Sequence, residues 1–196
     1  MTEFTQDWFS SNAEIWLELF DRFIPSPRKI LEVGSYEGRS SVWLAGRLDP
    51  GGVLYCVDTW AGGLEHAAED MAAVEKRFDR NMTEAIRDGV LIHKIKERSA
   101  DALAQLITHG HAGTMDFVYI DGSHLACDVM GDLAMSFALC KDGGIIVCDD
   151  YLWNYGQDPR LTPKIAIDSF AQCFAGRVEM IQNAPLAQVY FRKVAA

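Results

Sequence analysis

The sequence lacks the features of several protein classes. Its five cysteines are widely spaced and contain no Cys-x-x-Cys pair, so neither a disulfide framework nor a zinc ribbon is indicated. No apolar run approaches the roughly 18 residues that a membrane span needs. The first residues are acidic and lack the apolar stretch of a signal peptide. We therefore expect a reduced, cytoplasmic protein that does not contact a membrane.

Positive charge is also scarce. The chain has 18 Lys and Arg residues against 28 Asp and Glu residues, and its formal net charge is −10. Phosphate binding depends on basic side chains, so we expect no nucleic-acid partner. Lys94, Lys96 and Arg98 alternate and can share one side of a strand, which we interpret as a solvated edge. A small-molecule substrate is the expected partner, and a homo-oligomer is left open.

What the sequence does contain is an alternation of short apolar strands and amphipathic helices. This pattern predicts an α/β fold: a Rossmann-like, doubly wound, mostly parallel seven-stranded sheet with helices on both faces and a C-terminal antiparallel hairpin. We predict one domain over residues 1–196, with an N-terminal helical segment over 1–27. The predicted strands are 29–33, 53–58, 90–96, 116–121, 145–148, 178–181 and 187–192, and the predicted helices are 6–24, 39–48, 64–87, 99–107, 125–140 and 163–175.

Local signals set several of these boundaries. Ser99 and Asp101 are predicted to cap one helix, and Thr162 with Pro163 to begin another. The Lys141-Asp142-Gly143-Gly144 segment is predicted to be a turn, as is Asn183-Ala184-Pro185 in the hairpin.

A glycine turn, Gly34-x-x-x-Gly38, follows the first predicted strand. We expect free backbone N–H groups here, above the carboxyl end of the strand. Tyr36 stands where a dinucleotide fingerprint needs its second glycine, so NAD and FAD are disfavoured. An uncharged or zwitterionic adenosine compound fits better, with its amino-acid end at Gly34 and its ribose at Asp58, the acid that ends the second strand.

Acidic residues mark the ends of several predicted strands. Asp58, Asp121 and Asp149 end three of them, and parallel strands bring their carboxyl ends to one edge of the sheet. Asp121, Asp149 and Asp150 would repel one another unless a hard divalent cation were bound. We therefore predict a Mg²⁺ or Mn²⁺ site, the alternative being that these acids only cap helices.

Two pairs of motifs resemble known enzymes. Glu32-Val-Gly34-Ser-Tyr-Glu-Gly38 with Val57-Asp58 resembles motifs one and two of class I S-adenosylmethionine-dependent methyltransferases. Phe117-Val-Tyr-Ile-Asp121-Gly-Ser-His124 and Gly144-Ile-Ile-Val-Cys-Asp149-Asp150-Tyr151 resemble metal-dependent small-molecule O-methyltransferases, which include catechol and caffeoyl-coenzyme A enzymes. Asp149-Asp150 replaces the Asp-Asn of the catechol type and is nearer to the Glu-Asp of the macrolide-sugar enzymes, so a flat catechol substrate is put in doubt.

The resemblance implies a metal-dependent O-methyltransferase that acts on a sugar, a vicinal diol or a phenol. It assigns the methionine part of S-adenosylmethionine to Glu32 and the Gly34–Gly38 turn, including Ser35, and the ribose to Asp58. It places Thr59, Trp60 and Ser99 at the adenine. It also implies that Asp121 borders the cofactor and, with Asp149 and Asp150, binds Mg²⁺ or Mn²⁺. Because His124 lies three residues past Asp121, we predict it to be the general base, a role that its ordinary pKa suits, the alternative being a structural cap.

Other readings stay open at this point. A non-catalytic S-adenosylmethionine-binding module would keep the cofactor pocket, a hydroxylase-like relative would perform another reaction, and an oxidoreductase is disfavoured by Tyr36. Specificity is expected in segments 60–81 and 151–160, and the aromatic residues of 151–160 either form a wall of the site or pack on the core. We expect His66 at a surface helix start, with a position near the crevice as the alternative, and assign no role to His93, His109 and His111.

Overall fold

The apolar runs of the sequence form one seven-stranded sheet in the computed structural model, which describes residues 2–63, 66–85, 89–154, 156–181 and 187–195. The strands are β1 (Lys29–Val33), β2 (Val53–Asp58), β3 (Leu91–Lys96), β4 (Met115–Ile120), β5 (Cys140–Cys148), β6 (Val178–Met180) and β7 (Val189–Lys193). Their order is β3-β2-β1-β4-β5-β7-β6. Strands β1 to β5 are parallel, and β7 is antiparallel to β5 and β6, which confirms the predicted fold class.

Helices cover both faces of this sheet. They are α1 (Ala13–Phe23), α2 (Arg39–Ala45), α3 (Met71–Ala85), α4 (Ser99–Leu106), α5 (Ala126–Leu139) and α6 (Lys164–Cys173). One core contains residues of α1, α2 and α3, and the other contains residues of α4, α5 and α6. Burial on both faces explains why the central strands are apolar throughout instead of alternating. Among the described residues, no helix combines the length and the apolarity that crossing a bilayer requires.

The N-terminal helix is shorter than predicted. A 3₁₀ turn (Ser10–Asn12) precedes α1, and Trp8 lies before both with 58% of its surface exposed. The long helix predicted over 64–87 begins at Met71 because the Asp70 carboxylate accepts the N–H groups of Ala72 and Ala73. Residues 64, 65, 86 and 87 of that prediction lie outside the described residues.

The predicted helix caps were wrong. Ser99 is the first residue of α4, and Arg98 precedes it without a side-chain cap. Thr162 does not cap α6; its hydroxyl donates to the carbonyl of Pro159 at 3.3 Å instead. In both cases the local residue type favoured a cap, but the hydroxyl of the predicted residue makes no capping hydrogen bond.

The turn predicted at 141–144 lies within β5. Met115 pairs with Cys140 and Phe117 with Ile145, so the intervening residues of β5 form a bulge. A Cβ atom on Gly144 would lie 2.7 Å from Cys140 Sγ, which explains why glycine is needed there. The turn predicted at 183–185, between β6 and β7, lies outside the described residues.

Gly34 brings the ends of β1 and β4 together. Its φ is +87°, and a Cβ atom there would lie 1.9 Å from the carbonyl oxygen of Asp121. Gly131, inside α5, is the opposite case, since a Cβ atom there would meet nothing within 4 Å. Close packing therefore requires glycine at position 34, whereas glycine at position 131 has no packing role and only lowers the stability of the helix.

These two glycines predict opposite effects of the same substitution. We expect Gly34→Ala to destabilise the protein by about 3 kcal/mol or more, through backbone strain and a clash with β4. Gly131→Ala should stabilise it by about 0.5–1 kcal/mol, because alanine loses less entropy in a helix. Urea unfolding followed by circular dichroism measures both, and a Gly34→Ala variant as stable as the parent contradicts the packing described here.

Candidate active site

An open cavity of about 1330 Å³ lies at the carboxyl ends of the parallel strands. The sequence-predicted site residues that line it are Gly34, Ser35, Asp58, Thr59, Ser99, Asp121, His124, Asp149 and Asp150. Three others, Glu32, Gly38 and Trp60, do not form part of its lining. These residues end or follow five different strands. The structure therefore places them together at one edge of the sheet, as the sequence predicted.

Glu32 supports the glycine turn from behind. Its side chain is fully buried and accepts hydrogen bonds from the hydroxyls of Ser35 (2.7 Å), Ser40 (2.6 Å) and Ser41. Burial raises the pKa of Glu32, whereas the three hydroxyls favour its ionised form. The sequence predicted a direct contact with the cofactor, but the structure places this carboxylate behind the cavity lining.

Asp58 holds the same turn from the cavity side. Its Oδ2 accepts the N–H groups of Ser35 and Tyr36, both at 2.9 Å, and its Oδ1 accepts the N–H of Trp60 at 2.7 Å. A carboxylate has about four acceptor positions, so capacity is left for a hydroxyl of a ligand.

Four of the five N–H groups of the turn are already hydrogen-bonded, whereas the sequence suggested that they would be free. Those of Ser35 and Tyr36 bind Asp58, that of Gly34 donates to the Val57 carbonyl, and that of Gly38 donates to the Ser35 carbonyl. The turn therefore contributes a shaped wall in which most amides are already hydrogen-bonded, rather than an anion cradle.

Trp60 is part of the support of the turn. It is 4% exposed, and its Nε1 donates to the carbonyl of Tyr36 at 2.9 Å. Its ring packs against Phe78, and the Lys94 ammonium lies 4.5 Å from its centroid. Lys94 also pairs with Glu75 at 2.8 Å, so this part of the basic run is neutralised within the protein.

Two acids at the ends of β4 and β5 share one phenol. The Tyr119 hydroxyl lies 2.8 Å from Asp121 Oδ2 and also contacts Asp149 Oδ2. A phenol has a single proton, so it donates to only one of the two carboxylates at a time. Burial, together with the charges of Asp149 and Asp150, raises the pKa of Asp121 well above its ordinary value. The arrangement calls for a proton or a cation between these acids.

Ligand atoms of Asp121, His124 and Asp150 all lie within 4.8 Å of one another. His124 Nε2 is 2.8 Å from Asp150 Oδ2, and Asp150 has a φ of +58°, in the left-handed region. Two carboxylates and an imidazole suit a divalent ion, so the residues present fit the cation that the sequence predicted. The set differs from the predicted one by containing His124 in place of Asp149.

Asp149 is not part of that group, and other donors contact both of its carboxylate oxygens. Its Oδ2 accepts from Gln188 Nε2 at 2.7 Å and its Oδ1 from the N–H of Asp150 at 2.8 Å. Gln188 is itself buried, and its Oε1 accepts from Trp16 Nε1 (2.9 Å) and the Tyr190 hydroxyl (2.6 Å). Sequence reasoning missed this support, because a lone glutamine in the C-terminal hairpin carries no motif.

Aromatic side chains surround the mouth of the cavity near Gly34. Tyr36 stacks on His66 at a centroid distance of 5.4 Å, and Trp8 lies 5.1 Å from Tyr36. All three line the cavity. His66, expected at a surface helix start, thus belongs to the cavity wall.

The segment after Asp150 divides between two roles. The ring of Trp153 stacks on His124 at 4.5 Å and lines the cavity. Tyr151 donates instead to Asp168 Oδ1 at 2.8 Å and packs against the core. The two alternatives considered for residues 151–160 therefore both occur, and Tyr155 lies outside the described residues.

Known proteins resemble this chain in sequence and in fold. A family model described as a methyltransferase domain matches residues 31–151, and no curated protein matches the sequence. The O-methyltransferase TomG of Streptomyces achromogenes, solved with SAM, has a TM-score of 0.70 at 21% identity over 96% of this chain and 82% of its own.

Two further solved structures share the fold. An O-methyltransferase from Bacillus cereus, solved with SAH, has a TM-score of 0.67 at 20% identity over 97% of this chain and 84% of its own. MycE, a methyltransferase of the mycinamycin biosynthetic pathway solved with Mg and SAH, has a TM-score of 0.62 at 20% identity over 96% of this chain and 51% of its own.

The buried support of Asp149 makes a prediction about Gln188. We expect Gln188→Leu to destabilise the protein by about 2–4 kcal/mol, because Trp16 Nε1 and the Tyr190 hydroxyl lose their acceptor in the core. The same change at exposed Gln172 is the matched control and should shift stability by less than about 0.5 kcal/mol. Equal urea midpoints for the two variants contradict a supporting role for Gln188.

Proposed function

This chain belongs to the methyltransferase-domain family, and we propose that it transfers the methyl group of S-adenosylmethionine to a hydroxyl of a small molecule. The observation that carries the proposal is the order of groups along the sheet edge. The glycine turn and Asp58 follow β1 and β2, and the cluster of acids with His124 follows β4 and β5. TomG, solved with SAM, and the Bacillus cereus enzyme, solved with SAH, share this fold and support the choice of donor.

The donor end is assigned to the strands on one side of β4. Asp58 retains acceptor capacity toward the cavity for ribose hydroxyls, and Thr59 and Ser99 line the wall beyond it. S-adenosylmethionine, when bound, supplies an electrophilic methyl group on its sulfonium. Neighbouring strands lie about 4.8 Å apart, so the end of β2 is about 14 Å from the end of β5. That span accommodates a donor beside an acceptor in one cavity.

The acceptor end is assigned to Asp121, His124 and Asp150, which would hold Mg²⁺ or Mn²⁺. Such a cation binds acceptor oxygens and lowers the pKa of a bound hydroxyl. MycE, solved with Mg and SAH, supports this choice. The distances favour His124 as the third ligand, whereas the sequence pattern favours Asp149 with His124 as the base. The two assignments predict different Mn²⁺ affinities for a protein in which His124 is replaced.

The substrate class follows from the walls of the acceptor end. Trp153 offers a ring face next to His124, and Tyr36 and Trp8 offer others across the mouth. Ring faces combined with carboxylates suit a flat or saturated ring that carries adjacent oxygens. We therefore propose a sugar, vicinal diol or phenol as substrate. A module that only bound the donor would have no use for the acids and His124.

Donor binding is tested by thermal unfolding with S-adenosylhomocysteine. At 100 times Kd, the ligand should stabilise the protein by about 2.7 kcal/mol. This corresponds to a rise in Tm of about 5–10 °C for a chain of this length. Asp58→Asn should weaken binding at least about tenfold, since one carboxylate oxygen becomes a donor.

Asp21→Asn is the matched control, because Asp21 lies exposed on α1 outside the cavity lining. It should keep the full shift in Tm. The absence of a shift in the parent protein at saturating ligand would refute the proposed donor.

The cation site is tested by Mn²⁺ titration followed by electron paramagnetic resonance. The parent should bind one Mn²⁺, and Asp150→Asn should lower the affinity at least about tenfold, because Asp150 is a ligand in both assignments. A similar loss in His124→Ala identifies the imidazole as a ligand. Retained Mn²⁺ affinity with lost methyl transfer identifies it as the base instead.

His109→Ala, at an exposed histidine, is the control for the imidazole variant. It should bind Mn²⁺ as the parent does. If the parent binds no Mn²⁺, or if Asp150→Asn binds it unchanged, the cation site is rejected while donor binding stands or falls on its own test.

A further inference from the structure

The charge of the cavity lining is one-sided. Nine of the lining residues carry a carboxylate, and only two of the described lining residues, Arg39 and Arg98, are arginine or lysine. The whole chain is also acidic, with a formal net charge of −10. A cleft lined by one sign of charge attracts ligands of the opposite sign and repels those of the same sign. The lining therefore bears on the charge of the acceptor.

Neither arginine is placed to hold an anion at the acceptor end. Arg39 Nε donates to the carbonyl of Gln6 at 2.9 Å, and its Nη1 lies 3.3 Å from Asp7 Oδ2. Arg98 follows β3, which is three strands from β4 in the sheet, or about 14 Å. Arg39 is thus engaged by the N-terminal segment, and Arg98 belongs to the far end of the cavity.

The cations that follow the acceptor end in sequence are paired as well. Arg160 Nη2 lies 2.5 Å from Asp158 Oδ2, and Lys164 Nζ lies 2.5 Å from Asp168 Oδ2. Neither cation forms part of the cavity lining. Arginine and lysine are the side chains that proteins use to bind phosphate groups. In the described part of the chain, the acceptor end offers no such side chain.

The acceptor end stays negative even with its proposed ligands. Asp128 stands in the first turn of α5, and its Oδ2 accepts from the Ser123 hydroxyl at 2.8 Å. With the three acids at the ends of β4 and β5, it makes four carboxylates that line this part of the cavity. A divalent cation and the sulfonium of the donor balance three of these four charges when bound. Mg²⁺ often binds substrate phosphates, but here the carboxylates already exceed its charge.

Large apolar side chains complete this end of the cavity. Leu125, Trp153 and Leu161 line it and are 37%, 38% and 48% exposed. Apolar and aromatic side chains contact the uncharged parts of a ligand. The acceptor end thus offers contacts to an uncharged body and repulsion to an anion.

We infer that the acceptor carries no phosphate or other anionic group, and that Asp128 contributes to this selection. This inference rests on the proposed function and deepens it, since it divides sugars, diols and phenols by their charge. Sugars are activated for transfer as phosphate esters. An acceptor sugar therefore reaches this site only after a reaction that removes the phosphate, either glycosyl transfer or phosphate-ester hydrolysis.

The test uses two vicinal diols of similar size and opposite charge, dopamine and 3,4-dihydroxyphenylacetate. Each is titrated calorimetrically at pH 7 into the protein loaded with excess Mg²⁺ and sinefungin, a donor analogue whose amino group replaces the sulfonium charge. Dopamine should bind at least about tenfold more tightly, because like charges repel in the cavity. The difference should shrink when salt is raised from about 0.02 M to about 0.3 M.

Two variants and a phosphorylated probe extend the test. Asp128→Asn should lower the ratio of the two affinities by at least about threefold, because it removes one charge from the lining. Asp101→Asn, at an exposed position of α4 outside the lining, is the matched control and should keep the ratio of the parent. Thymidine diphosphate glucose at about 5 mM should leave dopamine binding unchanged.

Each failure has a distinct meaning. Equal affinities for the two diols, or displacement of dopamine by thymidine diphosphate glucose, overturn the inference while methyl transfer to a hydroxyl stands. A parent-like ratio in Asp128→Asn overturns the role of Asp128. If neither diol binds the loaded protein, the proposed acceptor chemistry and the inference fall together, and donor binding is judged by its own thermal test. The parent ratio needs no variant, so poor folding of Asp128→Asn does not prevent the test.

Discussion

The buried carboxylate of Glu32 is the interaction on which the cavity depends. Three serine hydroxyls, one in the glycine turn and two in α2, supply the hydrogen bonds that this group loses when it leaves water. An unpaired carboxylate in a core would cost several kcal/mol, so the turn and the start of α2 are held in one arrangement. Asp58 binds two amides of the same turn from the other side. The end of the cavity at the glycine turn is therefore held in shape by the protein's own hydrogen bonds.

The acids at the ends of β4 and β5 are not neutralised in this way. Asp121 and Asp149 contact a single phenol whose one proton satisfies only one of them, and Asp150 stands close enough to raise the pKa of Asp121. No described lysine or arginine pairs with these three acids through a salt bridge. Stability alone would not select such a cluster, because replacing one acid would relieve the repulsion. The contrast separates Glu32, whose charge is satisfied within the fold, from the three acids at the ends of β4 and β5, whose mutual repulsion the fold leaves in place.

Sequence reasoning succeeded where a periodic pattern or a strand end carried the information. Apolar strands ending in Asp58, Asp121 and Asp149 were enough to predict the sheet and the edge at which the acids gather. It failed for Gln188, whose role depends on contacts between elements distant in the chain. Gln188 binds Trp16, 172 positions away, and no local pattern records that pairing. The same limit applies to Glu32. The motif predicted that this residue contacts the cofactor, but its carboxylate is buried and accepts hydrogen bonds from three serine hydroxyls.

The three residues between the two glycines of the turn make different kinds of contact. Ser35 points toward Glu32, and Tyr36, at a φ of +47°, lines the cavity. Glu37 is buried and accepts hydrogen bonds from the backbone and the hydroxyl of Thr5, both at 2.6 Å, which ties the N-terminal segment to the turn. That segment carries Trp8 to the cavity mouth. One short turn thus shapes one wall of the cavity and anchors the segment that carries Trp8 to its mouth. The three side chains between the glycines therefore carry more structural information than the glycine spacing alone.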